Sequence, residues 1–246
     1  MRKGFHEPVE KPRRFYKDVT VEPGEAGFGI LLDGRGLRTP QGARFAAPTR
    51  ALAEQVAEEW AAQGDTIELA QMHANRLANT AIESVPGSRE AIADQLAQYA
   101  GADLLCYFAE GPAALVARQE ERWGPLLARA QAEEGLVFER ATGIVHREQP
   151  AATLARVREI ALSLEDFALA GFAFGVPLLG SSVLGLAMLR GWLSADEAFD
   201  LSRLDEAFQE EKWGVDAEAA ERAERLRNEA RMLERWFRGL VEPSAQ

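Results

Sequence analysis

The spacing of apolar and polar residues changes character near residue 70. Before it, RFYKDVTVE (Arg14–Glu22) alternates Phe15, Lys17, Val19 and Val21 against Tyr16, Asp18 and Thr20, the period of a half-buried strand. Pro23-Gly24 and Gly27 mark a turn, and FGILLD (Phe28–Asp33) reads as a second strand. Asp33-Gly34 is a hairpin signal, followed by GLRTP and the short run ARFAAP. The strands form an antiparallel meander. A helix from about Thr49 to Gln63 follows, with Leu52, Val56, Glu59 and Trp60 at helical spacing and Gly64 as its stop. Asp65–Leu69 reads as a returning strand.

From Met72 onward the period is helical. One helix covers Leu77 to Val85 and ends at Pro86-Gly87, and Ser88 caps the next. Pro112 opens a helix running toward Gly135. Pro150 opens another, in which Leu154, Val157, Ile160, Ala161 and Leu164 share a face. Ser194-Ala-Asp-Glu197 is a capping box, starting a helix that reaches Trp213 with Gly214 as its stop. A charged helix spans about Asp216 to Gly239. The predicted class is α+β: a small N-terminal antiparallel sheet-and-helix domain, residues 1–80, then a mainly α domain, residues 81–246.

Phe167 to Leu189 is a run of 23 residues without a charge, long enough to span a bilayer. Gly171, Gly175, Pro177, Gly180 and Gly185 interrupt it, and no basic flank favours one side. The run also carries GVPLLGSS (Gly175–Ser182), close to a phosphate loop, but Ser181 stands where the phosphate-binding lysine is required. The reading is two buried helices, Gly175 stopping the first and Pro177 opening the second, with no stable membrane insertion.

Charge changes the list of partners. The net charge is −11, although residues 1–50 carry 10 Lys and Arg against 6 Asp and Glu. An acidic body repels phosphate backbones and excludes nucleic acid as a partner. Cys106 is the single cysteine, so there is no intrachain disulfide, and its apolar neighbours make it a buried, inert thiol. The N-terminus lacks the apolar stretch of a secretory signal, which points to the cytoplasm, or to a mature form already trimmed. His6, His73 and His146 have no ligand spacing with Cys106, so no metal site is expected. No nucleophile elbow, metalloprotease helix or dinucleotide fingerprint is present. No catalytic residue and no cofactor are expected.

A candidate surface remains. Leu201, Leu204 and Phe208 form the apolar stripe of the capping-box helix, while Ser202, Glu206, Gln209 and Trp213 share another face. Trp is over-represented among binding hot spots, which offers one reading of this face as a recognition surface. Pattern alone favours the other, a solvated face with Trp213 as a packing anchor beneath the last helix.

Six blocks in order resemble a known family. They are RFYKDVTV (Arg14–Val21), GILLDGRGLRTP (Gly29–Pro40), ALAEQVAEEW (Ala51–Trp60), RLANTAIE (Arg76–Glu83), DLLCYFAEGPAALVARQEERWGPLL (Asp103–Leu127) and LDEAFQEEKWGVDAEAAER (Leu204–Arg222). Together they are similar to the ATP synthase assembly chaperones that bind the alpha subunit of the catalytic head. Met72-His73-Ala74-Asn75, Ala102 and Gly124 depart from the family pattern. The resemblance implies a small α+β unit followed by an orthogonal helical bundle, and a non-enzymatic role. It implies an alpha-subunit partner, held at the surface later taken by the beta subunit. Carried onto LDEAFQEEKWG, it implies partner-binding roles for Glu206, Gln209, Glu210 and Trp213, while Trp60 and Trp123 are structural. A monomer is expected, in the bacterial cytoplasm or the mitochondrial matrix. A general holdase and a nucleotide-binding enzyme are the alternative functions.

Overall fold

Asp33 and Gly34 have φ angles of 49° and 77°, the left-handed pair that a two-residue hairpin turn requires. This turn joins β2 (Gly27–Leu32) to β3 (Arg35–Gly36), and the turn at Glu25-Ala26 joins β2 to β1 (Val19–Gly24). The antiparallel sheet has the order β1-β2-β3, with Val19 opposite Leu32 and Gly24 opposite Gly27. Ile30 and Leu32 point into the core, as the two-residue period of the strand dictates. The Asp33 carboxylate accepts the N–H groups of Asp18 and Lys17, at 2.8 and 3.0 Å. These bonds, that from Asp18 foremost, hold its pKa below the ordinary range.

The computed structural model describes residues 11–143 and 147–241. The first strand begins at Val19 and not at Arg14, because the preceding side chains serve α1 (Arg50–Ala61). The Arg14 guanidinium donates to the carbonyls of Ala61 and Gln63, and the Tyr16 hydroxyl donates to the Trp60 carbonyl. Those groups close the carboxyl end of α1, which stops at Ala62 without help from Gly64. Asp65–Leu69 does not return as a strand: Thr66 makes a single bridge to Arg13, and a 3₁₀ turn covers Leu69–Gln71.

The helices follow in order as α2 (His73–Glu83), α3 (Val85–Ala100), α4 (Ala113–Glu134), α5 (Ala151–Ser163), α6 (Asp166–Leu179), α7 (Ser182–Leu189), α8 (Ala195–Ser202), α9 (Leu204–Trp213) and α10 (Ala217–Gly239). A short parallel pair, β4 (Tyr107–Phe108) with β5 (Ala141–Thr142), flanks α4. Helix α2 straddles the expected division at residue 80 and packs on α6. Pro86 lies inside the first turn of α3, where a missing N–H costs nothing, so Ser88 is a helical residue and not a cap.

The uncharged run forms two helices, but the break is not at Gly175 and Pro177. Helix α6 continues through both and stops at Gly180, in the left-handed region at φ 66°. Gly175 and Gly171 serve packing. A Cβ on Gly175 would lie 2.7 Å from Leu233, and one on Gly171 would lie 2.6 Å from Phe237. Thus α10 lies directly against the glycine surface of α6, with Trp236 donating to the Phe167 carbonyl at 3.0 Å. Helix α7 is buried along nearly its whole length. Among the described residues, no helix is long and apolar enough to cross a membrane.

The capping box at Ser194 and Glu197 forms as predicted, but its helix is broken. At the end of α8, Ser202 Oγ donates to the Phe199 carbonyl and Trp123 Nε1 to the Leu201 carbonyl. In an unbroken helix these two carbonyls would accept from Arg203 and Asp205. The chain bends at Arg203 and restarts as α9.

Replacing Gly171 with Ala should destabilise the protein by about 1–3 kcal/mol, the typical cost of overpacking. Urea unfolding should record a lower midpoint with an unchanged slope; equal midpoints would mean that α10 can move off α6 freely.

Candidate functional site

The sequence that mimics a phosphate loop is occupied by the protein itself. Asp103, fully buried, accepts the Ser182 and Val183 N–H groups and the Ser182 hydroxyl on one oxygen, at 2.7, 3.2 and 2.6 Å. Its other oxygen accepts the Ser181 hydroxyl and the Leu105 N–H. Burial pushes the Asp103 pKa up, and the hydrogen bonds, that of Ser182 first, pull against it. A carboxyl group of the protein already fills the start of α7, where a phosphate would have to bind. Ser181, in the place of the lysine, is the N-cap of α7 and accepts the Leu184 N–H at 3.1 Å.

The Cys106 thiol is buried, and burial followed by the Asp103 charge drives its pKa far above the thiol range. Among the described residues, no group of three or more His, Cys, Asp and Glu side chains could hold a metal ion. His6 and His146 lie outside the described residues. Trp60 and Trp123 are buried, and their indole N–H groups donate to Asn75 Oδ1 and the Leu201 carbonyl.

Helix α9 presents a different environment. Leu204 and Phe208 are its only buried side chains, as their spacing with Leu201 predicts. Glu206, Gln209 and Trp213 are exposed on the other side, and Glu210 is partly exposed. Trp213 is 78% exposed and so does not anchor the last helix from beneath. Val215, in the loop beyond it, is 62% exposed.

Glu206, Gln209, Glu210 and Trp213 line one groove of about 890 Å³ between α9, the first turns of α10 and the end of α6. Leu104, Pro177, Leu178 and Leu226 supply apolar lining, and Arg203, Arg222 and Arg225 border it as well. A second cleft of about 670 Å³ adjoins it, against α4 and α10, and shares Phe199, Arg203 and Glu210 with the first. The helix therefore borders two open grooves and is held by few bonds.

Arg118 of α4 donates to both carboxylate oxygens of Glu211, at 2.6 and 2.9 Å, and its guanidinium lies over the Phe208 ring. Gln119, completely buried, accepts the Ala109 N–H and donates to Asp205 at 2.8 Å. Asp205 is partly buried, and that burial raises its pKa. Arg203, at the bend, donates to Glu210 at 2.9 Å.

These tethers were not predicted. Arg118, Gln119 and Asp205 all lie within the family blocks, but nothing in helical spacing relates residues 86 or 93 positions apart. The contributions of Pro177 and Leu104 to the groove were hidden for the same reason.

The family described as ATP12 chaperone protein matches residues 13–131. Protein atp12, mitochondrial, of Schizosaccharomyces pombe is 26% identical over 225 residues, covering 84% of this chain and 76% of that protein. The crystal structure of Atp12 from Paracoccus denitrificans superposes with a TM-score of 0.87 at 40% identity, covering 94% of this chain and 99% of that one. A protein of known structure from Agrobacterium tumefaciens matches with the same TM-score at 39% identity, covering 94% of this chain and 87% of that one.

Two tryptophans should respond oppositely to truncation. Trp123→Ala should cost about 3–5 kcal/mol of stability, whereas Trp213→Ala should change it by no more than about 0.5 kcal/mol. Asp103→Ala, which strands buried donors, should cost about 3 kcal/mol or more. Chemical denaturation measures all three, and an unfolding midpoint strongly lowered by Trp213→Ala would return that ring to the core.

Proposed function

The chain belongs to the ATP12 chaperone protein family, and on that premise we propose that it is an assembly chaperone of the F-type ATP synthase. It binds the unassembled alpha subunit of the catalytic head and shields the surface later taken by the beta subunit. It acts as a monomer and without catalysis, in the bacterial cytoplasm or, for an organellar form, in the mitochondrial matrix.

One observation carries this reading: Trp213 is left 78% exposed at the end of a helix whose other large apolar side chains are buried. A Trp in water gains nothing for the fold, whereas on a partner it supplies a large apolar contact. Glu206, which has no ion-pair or hydrogen-bond partner among the described residues, lies on the same face beside the apolar lining of the groove. Glu206 and Glu210 meet basic groups of the alpha subunit, Gln209 supplies hydrogen bonds between them, and Trp213 joins the apolar contact. The carboxylates steer and orient the client, while the apolar lining of the groove contributes most of the affinity.

A general holdase is the second reading, favoured by the same exposed apolar surface, since such a surface captures many unfolded chains. The two differ in selectivity.

Co-purification with separately expressed alpha and beta subunits should retain alpha only, and aggregation of an unrelated client should proceed unchecked. Trp213→Ala should weaken alpha binding by about tenfold or more, with circular dichroism unaltered. The Glu206→Gln, Glu210→Gln double variant should weaken it too. Undiminished capture by that double variant would sink the assignment of the face.

A further inference from the structure

Helix α9 carries four acidic side chains, Asp205, Glu206, Glu210 and Glu211. Three are held by the protein's own donors: Asp205 by Gln119, Glu211 by Arg118 and Glu210 by Arg203. Only Glu206 is unpartnered among the described residues. The three bonds differ in where they lie. Those of Asp205 and Glu211 run back to α4 and fix the helix to the body. The third joins Glu210 to Arg203 at the bend where α9 begins, and both partners border both grooves.

We propose that Arg203 is an internal competitor for the client's basic group, holding Glu210 neutralised until the client takes its place. The proposal rests on the reading of this face as the alpha-subunit site. Glu206 and Glu210 are four residues apart and are neighbours on the helix surface. A basic client group that reaches Glu206 therefore arrives beside Glu210 and meets the Arg203 charge there. The Arg203 and Glu210 side chains are 24% and 31% exposed, so water reaches the pair. A partly exposed pair, reached by water on both sides, exchanges partners more readily than a buried one. Glu210 changes partner without leaving a buried charge unpaired, and Arg203 takes it back when the client leaves. An assembly chaperone must surrender its client, and a built-in competitor limits how tightly the charged part of the face can hold.

The test uses the full chain and purified alpha subunit, with affinity measured by calorimetry at fixed salt. Arg203→Gln should bind alpha about three- to tenfold more tightly than the unaltered chain. Arg203→Lys, which keeps the charge, should stay within twofold of it. In the Glu210→Gln background, Arg203→Gln should bring no gain. Weaker or unchanged binding by Arg203→Gln would overturn the proposal, because Arg203 would then touch the client or be a bystander. A gain that persists without Glu210, or that Arg203→Lys shares, would also overturn it by assigning the effect to the bend. Unfolding midpoints for each variant separate a loosened helix from an altered face. The parent reading fails on a different observation, undiminished binding by the Glu206→Gln, Glu210→Gln double variant, whatever Arg203 does.

Discussion

A helix that begins inside a protein leaves N–H groups that water cannot reach, and each must find an acceptor or cost stability. The centre of this molecule depends on meeting that demand with carboxylates from elsewhere in the chain. Asp103 does so for α7, Glu59 of α1 for α2 at Ala74 and Asn75, and Glu234 of α10 for the first residue of α8. Burial raises the Glu59 pKa as it does that of Asp103, while the hydrogen bonds they accept, and the positive end of the helix dipole, favour the charged form. Part of the acidic composition is therefore internal machinery as well as surface.

Those caps set the directions of the helices, and glycine sets their separation. With Asp103 holding α7 and a glycine surface on α6, Trp236 and Phe237 of α10 lie close against α6. The same helix reaches α1: Thr49 donates to the Gly239 carbonyl at 2.5 Å and Gln55 to the Met232 carbonyl at 3.0 Å. One hydrophobic cluster consequently runs from the sheet, through Ile30 and Leu52, into the bundle at Leu233. The sheet is packed into the bundle through α1 and α10.

The α9 face is built on the opposite principle. It has two buried side chains, three polar tethers and two adjoining grooves along it. Its tethers hold the acidic side chains in place with only Asp205 drawn partly into the interior, so the helix keeps its shape while most of its polar surface remains wet. Elements with few buried contacts are the ones that can change partners at low cost. A rigid interior thus supports a lightly held face.

Features that depend on neighbours in sequence were legible in the sequence. The Asp33-Gly34 turn, the capping box at Ser194, the left-handed stop at Gly135 and the buried stripe of Leu201, Leu204 and Phe208 all lie where local chemistry places them. The α+β class follows from the same periods, and the ordered family blocks carried the family. Tertiary structure decided what Gly175 and Pro177 do, because their roles depend on Leu233 and on where Asp103 can reach. It also decided where the capping-box helix breaks, since Trp123 takes a carbonyl from 78 residues away. And it decided the state of each acid on α9, free at Glu206 and engaged at Glu210. Local periodicity selects a face of a helix, but a charge is neutralised by whatever the fold brings within hydrogen-bond reach, and that distance is not written in the spacing.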